Sequence, residues 1–230
     1  MGIRFSKVYN ILERYIYLQL PTIIKNKEDI KIVYYYLNKL FNCYFTFGQI
    51  NKFIFNPKLI QLLFVNARQF YVQRSWLFMH YNIENNLQFI LNYLNASESL
   101  RIDIPSNNNA IKYADILLKI LTSEGDKFNK VYLLSDNLQK IFDLIINHIE
   151  TSKNFTKMVA EIELKNHFTP FATLSERVGK IGEDHENKHL LSTTCQLSNK
   201  HNPKIKFAIS YKKSCDVGEY TVIEIKRIYC

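Results

Sequence analysis

Apolar residues recur at intervals of three and four along the first two thirds of this chain and at intervals of two along the last third, and this change of period constrains the fold more than any other feature. Val8, Ile11, Leu12, Tyr15 and Leu18 predict a first helix that ends at Pro21. Ile30, Val33, Tyr34, Leu37, Leu40 and Phe41 predict a second, from about Lys27 to Tyr44, whose broad apolar stripe needs a large covering surface. Three more are expected near Ile83 to Leu94, Asn109 to Leu121 and Asp136 to Ile149, the last with Ser135 as its N-cap. Lys58 to Val65 reads equally as a buried strand or a short helix.

After Glu150 the pattern alternates. Met158, Ala160, Ile162 and Leu164 form one strand face, Ile205, Phe207, Ile209 and Tyr211 a second, and Tyr220 to Ile228 a third strand. Thr169 to Lys204, with Pro170, Gly179, Gly182 and Pro203, reads as a long connection of the kind that touches partners. The expected fold is therefore α+β. A helix-rich assembly region (1–150) is followed by a small, mainly antiparallel β module (151–230) with a long connecting loop.

Composition narrows the function. Aromatic residues make up 14% of the chain, with 15 Tyr and 16 Phe beside one Trp, which suits surfaces that are apolar on one side and wet on the other. The net charge is +9, yet no run of four basic residues occurs, so no polybasic arm is expected. Cys43, Cys195, Cys215 and Cys230 form no C-x-x-C pair, which fits reduced thiols in a cytoplasmic protein. Arg4, Lys7, Glu13 and Arg14 interrupt the stretch from Ile3 to Leu20, so neither a signal peptide nor a membrane span is expected. Met1-Gly2-Ile3-Arg4-Phe5-Ser6 fits the short N-myristoylation pattern.

Motifs for chemistry are sparse. His185, His189, Cys195 and His201 are zinc-ligand types without a zinc-finger spacing, and a Cys-His pair built on Cys195 has no accompanying oxyanion hole. The phosphate-loop, dinucleotide, zinc-protease and serine-hydrolase signatures do not occur. No catalytic residue, metal, cofactor or small-molecule substrate is therefore expected. The cluster Arg68, Phe70, Tyr71, Arg74 and Trp76 mixes basic and aromatic side chains. It suits a protein interface, since Arg, Tyr and Trp dominate interface hot spots, better than base stacking.

One stretch carries a family resemblance. Val159-Ala160-Glu161-Ile162-Glu163-Leu164 offers a strand and His167-Phe168-Thr169-Pro170 an aromatic turn. Arg177-Val178-Gly179 and Ile181-Gly182 stand near a glycine step, Leu190-Leu191-Ser192 near a second, and Lys204-Ile205-Lys206-Phe207-Ala208-Ile209 is a final strand. In this order Lys157 to Tyr211 resembles the C-terminal part of TssG, a wedge component of the type VI secretion baseplate. Phe47-Gly48-Gln49-Ile50 and the helix from Asn85 to Leu94 resemble family features upstream. The turn Trp is missing, Ser192 replaces the second glycine, and Phe89-Ile90-Leu91 stands where the family reads Phe-Leu-Asp.

The resemblance implies a structural baseplate subunit of a contractile injection machine, in a hetero-oligomeric assembly with TssF-like, TssK-like and TssE-like partners. His167, Phe168, Arg177, Gly179 and Gly182 would join Arg68, Phe70, Tyr71, Arg74 and Trp76 as partner-binding residues. The alternative from the residues themselves is a basic nucleic-acid-binding module using Arg68, Arg74 and Trp76.

Overall fold

The computed structural model describes residues 2–9, 12–18, 25–51, 56–64, 69–105, 110–166, 181–187, 190–214 and 221–228. Two compact units emerge, the first comprising residues 1–103 and 127–129 and the second residues 104–126 and 130–230.

In the first unit β1 (Gly2–Tyr9) and β2 (Leu12–Leu18) form an antiparallel pair in which Tyr9 meets Leu12. α1 (Lys27–Phe41) follows, then β3 (Tyr44–Asn51), α2 (Pro57–Leu63), β4 (Phe70–Phe78), α3 (Ile83–Tyr93) and β5 (Leu94–Asp103). The strand order is β2-β1-β3-β4-β5, with β3, β4 and β5 parallel and β1 antiparallel to β3. Two consecutive βαβ crossovers thus build the unit's sheet.

The helices start where local chemistry allows. The Asn26 side chain accepts from the Asp29 amide at 2.9 Å and Asn56 from those of Lys58 and Leu59, with Pro57 in the first turn of α2. Val33, Leu37, Leu40 and Phe41 of α1 turn inward, and Phe41 meets both Phe64 and Tyr93, so α1, the end of α2 and α3 share one layer. Beneath it lie Phe70, Val72 and Leu77 of β4 and Leu94, Ala96, Leu100 and Ile102 of β5, all buried. The other face of these strands carries half-exposed and exposed residues, so in this unit the helices cover one side of the sheet.

The second unit contains a 3₁₀ turn (Ala110–Tyr113), α4 (Ala114–Ser123), β6 (Phe128–Leu134), whose first two residues belong to the first unit, α5 (Gln139–Thr151), β7 (Glu161–Asn166), β8 (Ile181–Asn187), β9 (Leu190–Ser198), β10 (Lys206–Ser214) and β11 (Thr221–Ile228). Its strand order is β6-β7-β11-β10-β9-β8. β6 and β7 are parallel around α5, and the remaining pairs are antiparallel. Ile141, Phe142, Ile145, Ile146 and Ile149 form the buried stripe of α5.

Polar anchors hold this unit together. Asn199, in the turn after β9, is buried and donates to the carbonyls of Ile149, Glu150 and Ser152 at 2.7, 3.1 and 2.9 Å, closing the open end of α5. Its carbonyl oxygen accepts from the amides of His201 and Asn202. Gly125 lies so close to Met158 that a Cβ at its position would stand 2.5 Å from the Met158 carbonyl oxygen.

The expected α+β arrangement is overturned: the chain is α/β, with strands between its helices and a mixed sheet in place of a helix-rich region and a small antiparallel module. The expected first helix is the antiparallel β1–β2 pair, because Val8 and Leu12 belong to different strands; Ile11 and Pro21 lie outside the described residues. β3, β4, β5 and β6 were not expected as strands, and Lys58 to Val65 resolves as α2. The long connection also fails, for β8 and β9 occupy 181–187 and 190–198 within it. Ser135 does not cap α5, which begins at Gln139 after Leu138; its amide instead donates to the Lys165 carbonyl. The late strands agree with the alternating pattern, with Phe207, Ile209 and Tyr211 of β10 and Ile223 and Ile225 of β11 buried.

Candidate docking face of the first unit

The uncovered face of β3, β4 and β5 brings together Tyr44, Phe47, Tyr71, Arg74, Trp76, Phe78 and Arg101. An irregularity between Val72 and Arg74 makes this arrangement. Phe70 and Val72 point inward before it, Ser75 and Leu77 after it, so the inward positions change from even to odd. Tyr71 and Trp76, which strict alternation would place on opposite faces, therefore share the open one.

The register sets the rows. Tyr44 lies beside Tyr71, Phe47 beside Arg74 and Ser99, Gln49 beside Trp76 and Arg101, and Phe78 beside Asp103. The Tyr44 hydroxyl comes within 3.4 Å of the Ser97 hydroxyl. Trp76 is the centre of a locked cluster. Its indole Nε1 donates to Asp103 Oδ2 at 2.8 Å, and the Arg101 guanidinium lies 4.1 Å from its ring centroid. Arg101 Nε in turn donates to Asp103 Oδ1 at 2.9 Å and Nη2 to Oδ2 at 3.3 Å, while the Phe78 ring sits 4.5 Å from that of Trp76.

A hydrogen bond to a charged acceptor contributes about 1.5–3 kcal/mol and an exposed cation–π contact about 0.5–1 kcal/mol, so the indole is held before any partner arrives. Prior ordering lowers the entropic cost of binding. The cations here are matched: Arg101 pairs with Asp103, and Arg74 lies 3.7 Å from Glu98.

The structure separates the residues singled out from the sequence. Tyr71, 44% exposed, Arg74 and Trp76 share the open face, whereas Phe70 is buried against Phe45 with ring centroids 5.7 Å apart. Gly182 lies on β8, opposite Thr194 of β9. Arg68, His167, Phe168, Arg177 and Gly179 lie outside the described residues. Arg101, Asp103 and Tyr44 were missed. Their one sequence signal is the alternation of Arg101 and Asp103 with the apolar Leu100 and Ile102.

Of the zinc-ligand types, Cys195 is buried with its Sγ 3.4 Å from the Ile209 carbonyl oxygen, and burial pushes its thiol up. His201 is exposed in the turn after β9, and His189 lies outside the described residues. Among the described residues no three His, Cys, Asp or Glu side chains stand close enough to hold a metal ion.

The uncovered face of the second unit differs in kind. Lys130 pairs with Glu161 and, at 3.3 Å, with Glu163, while Lys226 reaches Glu161 at 3.0 Å and Lys212 reaches Glu224 at 3.3 Å. The Lys130 ammonium also lies 4.5 Å from the Tyr132 ring centroid. Burial works against the charge on Lys130, but Glu161, Tyr132 and Glu163 override it and hold its pKa above the ordinary lysine value. Burial likewise tends to raise Glu161, yet Lys130 and Lys226 bring its carboxyl below its usual value. This face is a lattice of paired charges.

Comparison with known families gives one match, to a domain of unknown function (DUF8381) over residues 3–105. That span coincides closely with the continuous part of the first unit, so the candidate face lies within the matched domain. No curated protein and no solved structure matches the chain.

Proposed function

We propose that this protein is a non-enzymatic assembly subunit that docks another protein on the uncovered sheet face of its first unit. The observation that carries the reading is Trp76, fixed by Asp103 and Arg101 on a face that also presents Tyr71, Tyr44 and Arg74. Tryptophan, tyrosine and arginine dominate the energetics of protein interfaces. The matched charges favour a protein over nucleic acid, because a phosphate backbone is recognised by cations in excess. Here Arg101 and Arg74 already face carboxylates.

The finer form of the reading is a baseplate wedge subunit of a type VI secretion machine, working with TssF-like, TssK-like and TssE-like partners. It is supported by the TssG-like order of residues from Lys157 through Tyr211. The test is capture by the tagged chain from its own cells, repeated with Tyr71→Ala, Arg74→Ala and Trp76→Ala. Tyr71 and Arg74 are exposed, so their variants keep the fold. Co-purification of a defined protein set that all three variants weaken supports the docking face, and wedge, sheath or tube proteins in that set support the baseplate form. Unchanged capture by the variants, or recovery of nucleic acid alone, overturns the reading.

A further inference from the structure

The helical side of the first unit has a chemistry that the docking face does not share. No aspartate or glutamate occurs between Asp29 and Glu84. The two acids that precede this stretch sit in the first turn of α1. There Glu28 pairs with Lys31 at 2.7 Å and Asp29 accepts from the Lys25 amide at 2.8 Å. Beyond that turn the outer surfaces of α1 and α2 present exposed Lys31, Lys39 and Lys58, with Lys25 and Lys27 at the start of α1.

Large apolar side chains stand among these lysines. Ile30, Ile32, Tyr34, Tyr35 and Tyr36 of α1 are exposed, Tyr35 by 56%, and Leu62 of α2 is 83% exposed. Tyr34 stacks on Phe64 with ring centroids 5.2 Å apart, which brings this part of α1 against the end of α2. The Lys39 ammonium lies 5.6 Å from the Tyr35 ring centroid.

From this pattern we infer that the α1–α2 layer rests on the surface of an anionic lipid bilayer. Lysine stems lie along apolar surface while their ammonium groups reach the headgroups, and tyrosine suits the boundary between an apolar and a wet phase. An acidic protein is the less fitting occupant. Protein interfaces are enriched in arginine and depleted in lysine, and residues 25–64 contain lysine and no arginine. No described helix is long and apolar enough to cross a membrane, so the contact is peripheral. The bilayer and the protein partner thus take opposite sides of one unit.

Sedimentation of the full chain with vesicles tests this. Binding is expected to vesicles of phosphatidylcholine mixed with phosphatidylglycerol, not to phosphatidylcholine alone, and to fall away at high salt. Reversing two charges together, Lys31→Glu with Lys39→Glu, weakens binding by about tenfold or more. Leu62→Ser also weakens it while leaving the circular dichroism spectrum unchanged, since this side chain packs on little of the fold. Equal binding to both vesicle types, no sedimentation, or full binding by the charge-reversed variant overturns the inference. So does retention on immobilised polyglutamate without vesicle binding, which assigns the layer to an acidic protein.

Discussion

Asn199 concentrates more of the second unit's stability than its position in a turn suggests. It satisfies three carbonyls at the end of α5 and two amides of its own turn. Asn199→Ala removes the side-chain partner of the Ile149 and Ser152 carbonyls and of the two turn amides, leaving Glu150 only its bond from the Lys200 amide, and is expected to lower stability by about 2–4 kcal/mol in urea unfolding, whereas Asn202→Ala, on the exposed side, costs less. His148 lies beside the Phe155 ring with its Nε2 buried and unpartnered, and burial lowers its pKa. The folded state thus prefers the neutral ring while the unfolded chain takes up a proton near the ordinary value of about 6.5. Stability contributed by the neutral ring is complete above that pH and is lost as pH falls from there toward the folded-state pKa. His148→Phe removes this loss, and denaturation midpoints measured across mildly acidic pH will show whether the step disappears.

At the scale of elements, the pairing of β4 with β5 joins packing to the candidate face, since it sets Trp76 beside Arg101 and Phe78 beside Asp103. Trp76→Phe keeps a ring on the open face but loses the bond to Asp103, and is expected to cost about 1–2 kcal/mol in urea unfolding while loosening partner capture. Parts of this fold were legible beforehand. The stripes of α1 and α3 lie on single helices, and β10 and β11 alternate cleanly because only one of their faces is covered. The strands of the first unit were harder to read for physical reasons. The irregularity between Val72 and Arg74 resets the alternation of β4, and α3 runs into β5 at Leu94 with no turn residues between them. Tyr71, Arg74 and Trp76 were legible as a candidate cluster because they lie close together in the sequence, on what the structure shows to be one strand. Arg101 and Asp103 were not, since their place beside Trp76 depends on a parallel register that no local pattern reveals.

Across the whole molecule, residues far apart in the chain complete each unit. The Lys127 ammonium donates to the Leu91 carbonyl at 2.7 Å and the Lys127 carbonyl accepts from the Ala96 amide, which ties 127–129 to the first unit. A fragment ending at Pro105 spans the family match yet lacks these bonds. It should unfold at lower urea than a fragment ending at Asn129, as tryptophan fluorescence of Trp76 can report.

The second unit has its own dependence on chain order. β8, β9 and β10 pair with their sequence neighbours, but the group they form joins β7 only through β11. On the ribosome, the three earlier strands can therefore form hairpins as they emerge, while their docking waits for Thr221 to Ile228. During that interval β7 offers an unsatisfied edge, and a nascent chain stalled before Thr221 would leave the same edge open to any passing strand.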